Sequence, residues 1–254
     1  MENNIDDLLE LDACLLEEEQ IFETIEALLD AIDRHPKNSE LKLQLARCLS
    51  VIHREDESES LLRSILQSDP THEPATLFLG RLLDNSDRSS EAEREYRFYL
   101  KRNPAGHLIV YELCRILLES ERIEDAEMVA QNHLETHSSK HMAYEPILMV
   151  LSHKEEEIEE VAIDSNYKSS SLRRLLEIHL LQFDLLLDKE RCADSEEASK
   201  SDDVTESLLR VTGEIMHLLD RAKSTRVKLP KKLSKRCREA VEEGMRRRRE
   251  LEIV

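Results

Sequence analysis

The chain has no tryptophan, only four glycines and six prolines, and aromatic residues make up 4% of its 254 positions. A β-sandwich or barrel needs turn residues about every 8–12 positions, so this scarcity excludes one and predicts a helical protein. There is no CxxC pair among the five cysteines, Cys14, Cys48, Cys114, Cys192 and Cys237. Their odd number and wide spacing predict reduced, structural thiols, with neither a disulfide framework nor a zinc module. No apolar run approaches the roughly 18 residues that a transmembrane helix requires. The N-terminus, MENNIDDLLELD, is acidic and has no signal-peptide pattern. A soluble, cytoplasmic protein without a transmembrane segment is therefore expected. GxGxxG, GxxxxGK[ST], HExxH and GxSxG are all missing. The expectation is a chain that is not an enzyme and that has neither cofactor nor metal.

What remains is charge and leucine. Charged residues make up 36% of the chain, apolar residues 40%, and the formal net charge is −19. The charge is uneven: residues 221–254 hold 13 Lys/Arg against 5 Glu, a net of +8, which leaves −27 on the rest. The chain reads as an acidic body with a basic tail.

Residue types recur at a spacing of 34. Pro36, Pro70 and Pro104 are 34 apart; so are Leu11, Leu45, Leu79 and Leu113, and Leu15, Leu49, Leu83 and Leu117. Each period reads as an A helix of about 14 residues, a polar turn, a B helix and a terminating proline. A period of this length indicates stacked helical pairs instead of one closed core.

These residues resemble the tetratricopeptide repeat. That family has large residues at repeat positions 4, 7, 11 and 24, small ones at 8, 20 and 27, and Pro at 32. Here position 8 reads Asp12, Ala46, Gly80 and Cys114, and position 20 reads Thr24, Ser58, Ala92 and Ala126. Position 4 departs, with Leu8, Lys42, Thr76 and Val110 where the family favours Trp, and position 27 departs with Tyr99 and His133. The fold expected is an all-α, right-handed α-solenoid of about four tetratricopeptide-like helix pairs plus C-terminal helices. Domains are expected at 1–153 (repeats), 154–192 (helical extension), 193–203 (acidic flexible linker) and 204–254 (C-terminal helices with the basic tail). Gly80→Leu, at a close helix crossing, should unfold the array by overpacking.

The resemblance implies a concave surface lined by positions 2, 5, 9, 12 and 13 of the A helices. Position 9 reads Arg47, Arg81 and Arg115, which would form a row at intervals on the order of 10 Å, set by helix packing. Leu43, Leu77 and Tyr111 at position 5 and Asp84 at position 12 would shape the same surface. Guanidinium groups suit carboxylates, so the candidate partner is a protein segment with acidic groups between apolar anchors. The alternative is that Arg81 pairs with Asp84 and Arg115 with Glu119 along their own helices. On the first reading Arg81→Glu weakens binding and leaves melting nearly unchanged. The chain is thus expected to be a protein-interaction adaptor or scaffold. The Lys and Asn residues of the family's carboxylate clamp are not at the matching positions.

The alternative function is regulatory, with the basic C-terminal helices binding a second partner or nucleic acid. SSLRRLLEIHLL and ESLLRVTGEIMHLL bear a distant similarity to the lipopolysaccharide assembly protein B family, whose membrane anchor and CxxC metal module are missing from this sequence. The tail has no aromatic residue for base stacking, which makes nucleic acid the weaker partner. His133, His137 and His141 are spaced by four, but the expected turn at Ser138 separates the third from the other two.

Overall fold

The computed structural model of the chain describes residues 18–138, 140–164, 169–192 and 201–251. Among these the fold is all-α: α1 (Glu18–Arg34), α2 (Ser39–Val51), α3 (Glu55–Ser68), α4 (Glu73–Asn85), α5 (Ser89–Leu100), α6 (His107–Glu119), α7 (Ile123–His137), a 3₁₀ turn (His141–Tyr144), α8 (Glu145–Asp164), α9 (Ser169–Cys192), α10 (Ser201–Ser224) and α11 (Lys231–Leu251). The chain divides into two compact units, Met1–Ile116 and Leu117–Val254. The first expected helix, with Leu8, Leu11, Asp12, Cys14 and Leu15, lies outside the described residues. So do positions 193–200 of the expected linker, while its last three residues open α10.

In the first unit the 34-residue period is a helix-pair period, with the tetratricopeptide layout of A helices α2 and α4 and B helices α1, α3 and α5. Local chemistry sets the helix ends. The Asn38 side chain accepts hydrogen bonds from the N–H groups of Glu40 and Leu41 at the start of α2. At α4 the N-cap is His72, whose ring nitrogen accepts from Ala75 N–H at 3.2 Å, with Pro74 in the first turn. The prolines Pro36, Pro70 and Pro104 lie just beyond the ends of α1, α3 and α5.

The A-to-B turns repeat in detail. His53, Asp87 and Glu121 all have φ of 57° to 58°, the left-handed region, although none is glycine. At each, the next N–H reaches back to close the A helix: Arg54 to Leu49, Arg88 to Leu83 and Arg122 to Leu117, all at 2.9 Å. Those same three arginines then fork onto the acid three residues on, Glu57, Glu91 and Asp125. A side chain with a Cβ pays a steric penalty in this conformation. Glu121→Gly is therefore expected to be about 1 kcal/mol more stable than Glu121→Ala in urea unfolding, because only glycine adopts the turn freely. Equal stability of the two would show that the turn relaxes.

The seam between A and B helices is filled by Leu45, Leu49, Leu79 and Leu83, all buried, with Leu62 and Tyr96 opposite on the B helices. Ser58, at a small-residue position, donates its hydroxyl to the Ala46 carbonyl at 2.7 Å. In the next period Gly80 leaves room for the fully buried ring of Tyr96, and a Cβ added at Gly80 would overlap that ring. Tyr99, another departure from the small-residue pattern, is accommodated in the same way: its ring lies on Gly106 and its hydroxyl donates to Glu73 Oε2 at 3.1 Å.

In the second unit α9 is the centre. Leu172, Leu175, Leu176, Leu180, Phe183 and Leu186 bury against Leu208, Val211 and Ile215 of α10 and Cys237 and Ala240 of α11. α8 continues unbroken through Lys154 and the acidic run after it. Glu155 from that run accepts from buried Gln182 of α9 at 3.0 Å, and Glu145 pairs with Lys189, which is only 4% exposed. The narrow apolar stripe of α11 is supplemented in two ways. Gly244 lets the helix close onto Thr212 of α10, and Arg236 and Arg247 pair with Asp184 and Glu190 of α9. Part of the basic tail is therefore neutralised by its own unit.

Candidate functional site

The A-helix face of the first unit is built on a ladder of ion pairs that runs from one repeat to the next. Arg81 on α4 donates from Nε and Nη2 to Glu112 Oε1 on α6, at 2.9 and 2.5 Å. The other carboxylate oxygen of Glu112 accepts from Arg115 Nε, one turn along α6, at 2.9 Å. Arg115 Nη2 returns to α4 and donates to Asp84 Oδ2 at 2.6 Å, and Asp84 Oδ1 accepts from the Ser89 hydroxyl at 2.6 Å. Two guanidinium groups and two carboxylates thus form a neutral, cross-repeat lattice. Glu112 is 5% exposed, and both arginines hydrogen-bond to its carboxylate. Burial works against the charge on Asp84, but the bonds from Ser89 and Arg115 outweigh it and hold the carboxyl below the usual range.

The three arginines at position 9 are therefore not equivalent. Arg81 and Arg115 share Glu112, and Asp84 bonds to Arg115 of the following repeat, not to Arg81 on its own helix. Arg47 is exposed, and no ion pair to it occurs among the described residues. The position-5 residues differ too: Leu43 is buried, Leu77 is half-buried and accepts from the Tyr96 hydroxyl through its carbonyl at 3.4 Å, and Tyr111 is exposed. Leu108, one turn before Tyr111 on α6, is 48% exposed. Sequence reasoning did not single out Glu112 or Leu108. The signal for Glu112 was its spacing, three residues before Arg115 and 31 after Arg81, which is one period less one turn.

Two other candidates resolve into packing. His133 and His137 stack with ring centroids 4.7 Å apart on α7, and among the described residues no group of three His, Cys, Asp or Glu could hold a metal ion. Cys48, Cys114 and Cys237 are buried free thiols; burial raises all three, Cys114 to about 12 and Cys237 to about 11. They are protonated and unreactive at neutral pH. Among the described residues no helix is long and apolar enough to cross a membrane.

No protein-family model and no curated protein matches the sequence. Among solved structures, the chain is similar to a tetratricopeptide repeat protein from Parabacteroides merdae, with 11% identity over 94% of this chain and 98% of that one, at a TM-score of 0.47. It is also similar to YrrB, described as a TPR protein with an unusual peptide-binding site, with 17% identity over 78% of this chain and 99% of that one, at a TM-score of 0.41. A third is the APC/C hetero-tetramer Cut9–Hcn1, with 13% identity over 89% of this chain and 46% of that one, at a TM-score of 0.41. No identity among these exceeds 17%, so residue roles do not transfer.

Proposed function

We propose that the first unit is a non-catalytic docking platform, an adaptor or scaffold that holds a segment of a partner protein against the face formed by α2, α4 and α6. The observation that supports this is the combination of Leu108 and Tyr111, both exposed on one side of α6, with an ion-pair ladder that already neutralises the charges beside them. Tyrosine is enriched among binding anchors, and Leu108 extends the apolar surface beside Tyr111. Arg47 supplies an unpaired guanidinium for a carboxylate on the partner, and Arg81, whose side chain is 56% exposed, supplies the outer edge of a second. Leu77, Arg115 and Asp84 hold the platform rigid. The buried, protonated thiols suit a reducing compartment, and the proposal places the chain in the cytoplasm.

Peptides selected on the intact chain from a random library should combine an apolar anchor with Asp or Glu. Their affinity should fall about tenfold or more in Tyr111→Ala and several-fold in Arg47→Glu, with circular dichroism unchanged in both. Selected peptides that bind both variants as well as the parent chain would overturn the assignment.

A further inference from the structure

The second unit contains a cleft that the docking platform does not use. It lies between the C-terminal half of α10 and the N-terminal half of α11, and Val227 and Leu229 of the connecting segment line it too. Its volume is about 470 Å³, within the range of ligand clefts. The floor is apolar, made by Leu219, Val227, Leu229 and Val241, with Met216 40% exposed at the edge. Lys223, Ser234 and Arg238 stand on the rim, together with the carboxylates of Asp220 and Glu242.

The charge around this cleft is unusual. Residues 221–238 contain nine Lys/Arg and no Asp or Glu. Three of the nine are engaged in ion pairs: Lys223 with Asp220, Lys235 with Glu239 and Arg236 with Asp184. Arg226, Lys228, Lys231, Lys232 and Arg238 are exposed and have no ion pair among the described residues. Arg238 bonds only to the Ser234 hydroxyl, at 3.3 Å. Five unneutralised cations within residues 226–238, of which Arg238 lines the cleft and Arg226 and Lys228 flank its lining residue Val227, repel one another and lower stability, which an acidic occupant would relieve.

We infer that the α10–α11 cleft receives an acidic amphipathic helix of a partner protein, with apolar side chains on the Leu219–Leu229–Val241 floor and carboxylates toward Arg226, Lys228, Lys232 and Arg238. Two features favour a peptide over other polyanions. Nucleic acid would find no aromatic side chain in residues 221–254 on which to stack a base, and the apolar floor offers nothing to a phosphate backbone. An anionic bilayer presents a flat surface that does not fill a recessed floor. A helix laid in a groove satisfies both floor and rim. This site lies wholly in the second unit and does not depend on the reading of the first.

The test uses the full chain and a fluorescein-labelled synthetic peptide of about 16 residues, with Leu at i, i+3, i+4 and i+7 and Asp or Glu elsewhere. Fluorescence anisotropy should show saturable binding that added salt weakens without abolishing. A scrambled peptide of the same composition should bind about tenfold more weakly or worse, because it has charge but no apolar stripe. In a Tyr111→Ala background, which weakens any binding to the first unit, the exposed double variant Lys232→Glu/Arg238→Glu should lose about tenfold or more for the amphipathic peptide while keeping its helicity, whereas Lys101→Glu, an exposed charge reversal outside both sites, should leave the affinity unchanged. Leu229→Ser, a second and smaller change in the floor, should weaken the amphipathic peptide and leave the scrambled one unaffected. The proposal is overturned if no saturable binding is seen in the Tyr111→Ala background, if the scrambled peptide binds equally, or if Lys101→Glu costs as much as Lys232→Glu/Arg238→Glu. It is likewise overturned if duplex DNA or phosphatidylglycerol vesicles bind more tightly than the peptide and displace it.

Discussion

Replacing Gly80 with alanine should destabilise the first unit by about 2–3 kcal/mol, a typical cost of overpacking. Helix propensity alone predicts the opposite, since alanine in a helix interior is favoured over glycine by about 1 kcal/mol. A measured loss therefore isolates the contact with Tyr96, whose ring occupies the space a Cβ would take. The ring cannot swing aside cheaply, because Tyr96 is fully buried and its hydroxyl bonds to the Leu77 carbonyl. Burial also pushes its phenol well above the usual range, so it stays neutral. The preceding repeat shows how the defect can be repaired. At the same two positions it carries Ala46 and Leu62, both fully buried. The double variant Gly80→Ala/Tyr96→Leu reproduces that pairing, and each residue should compensate the other. A double-mutant cycle in urea is expected to give about 1–3 kcal/mol of favourable coupling, with an unchanged m-value. Gly80→Leu, with more atoms to place, should unfold the unit. If Gly80→Ala proved as stable as the parent chain, the close crossing of α4 and α5 would not exist in solution.

The helix pairs were legible because their determinants recur at one spacing. Leucines at two positions, small residues at two others and a proline at the end each repeat every 34 residues, and each bears on a separate contact in the seam. The αL turns at His53, Asp87 and Glu121 were not legible, since glycine is the usual sign of that conformation and none is present. The Arg-to-acid forks that follow them repeat just as regularly, but surface charge at i and i+3 is common and by itself signals little. The ladder was half legible. Arginine at position 9 was visible as a row, but which carboxylate each would meet depends on how far one repeat is shifted along the next, and Glu112 lies off the period by one helical turn. Long-range charge pairs were least legible. Arg236–Asp184 and Arg247–Glu190 join residues 52 and 57 apart, so no local spacing in the sequence points to them.

The ladder also changes what charge reversal should do on the A-helix face. Taken as a free row, Arg47, Arg81 and Arg115 would respond alike to substitution by glutamate, losing affinity but not stability. In the structure Arg81→Glu places a carboxylate against Glu112, which is buried and would keep only Arg115 as its counterion. Removing one partner of a buried pair costs about 3–5 kcal/mol; the exposure of Arg81 and the surviving Arg115 bond reduce this to about 2 kcal/mol. Arg81→Glu should therefore lower Tm by several degrees, whereas Arg47→Glu, at an exposed position, should leave Tm within about a degree of the parent. Differential scanning calorimetry of the two variants decides the matter. The double variant Arg81→Glu/Glu112→Arg, which restores opposite charge at the same two sites, should recover part of the Arg81→Glu loss, although the introduced guanidinium then stands against that of Arg115. If Arg47→Glu and Arg81→Glu melted together at the parent's Tm, the Arg81–Glu112 bond would contribute nothing and the arginines would again be an equivalent row.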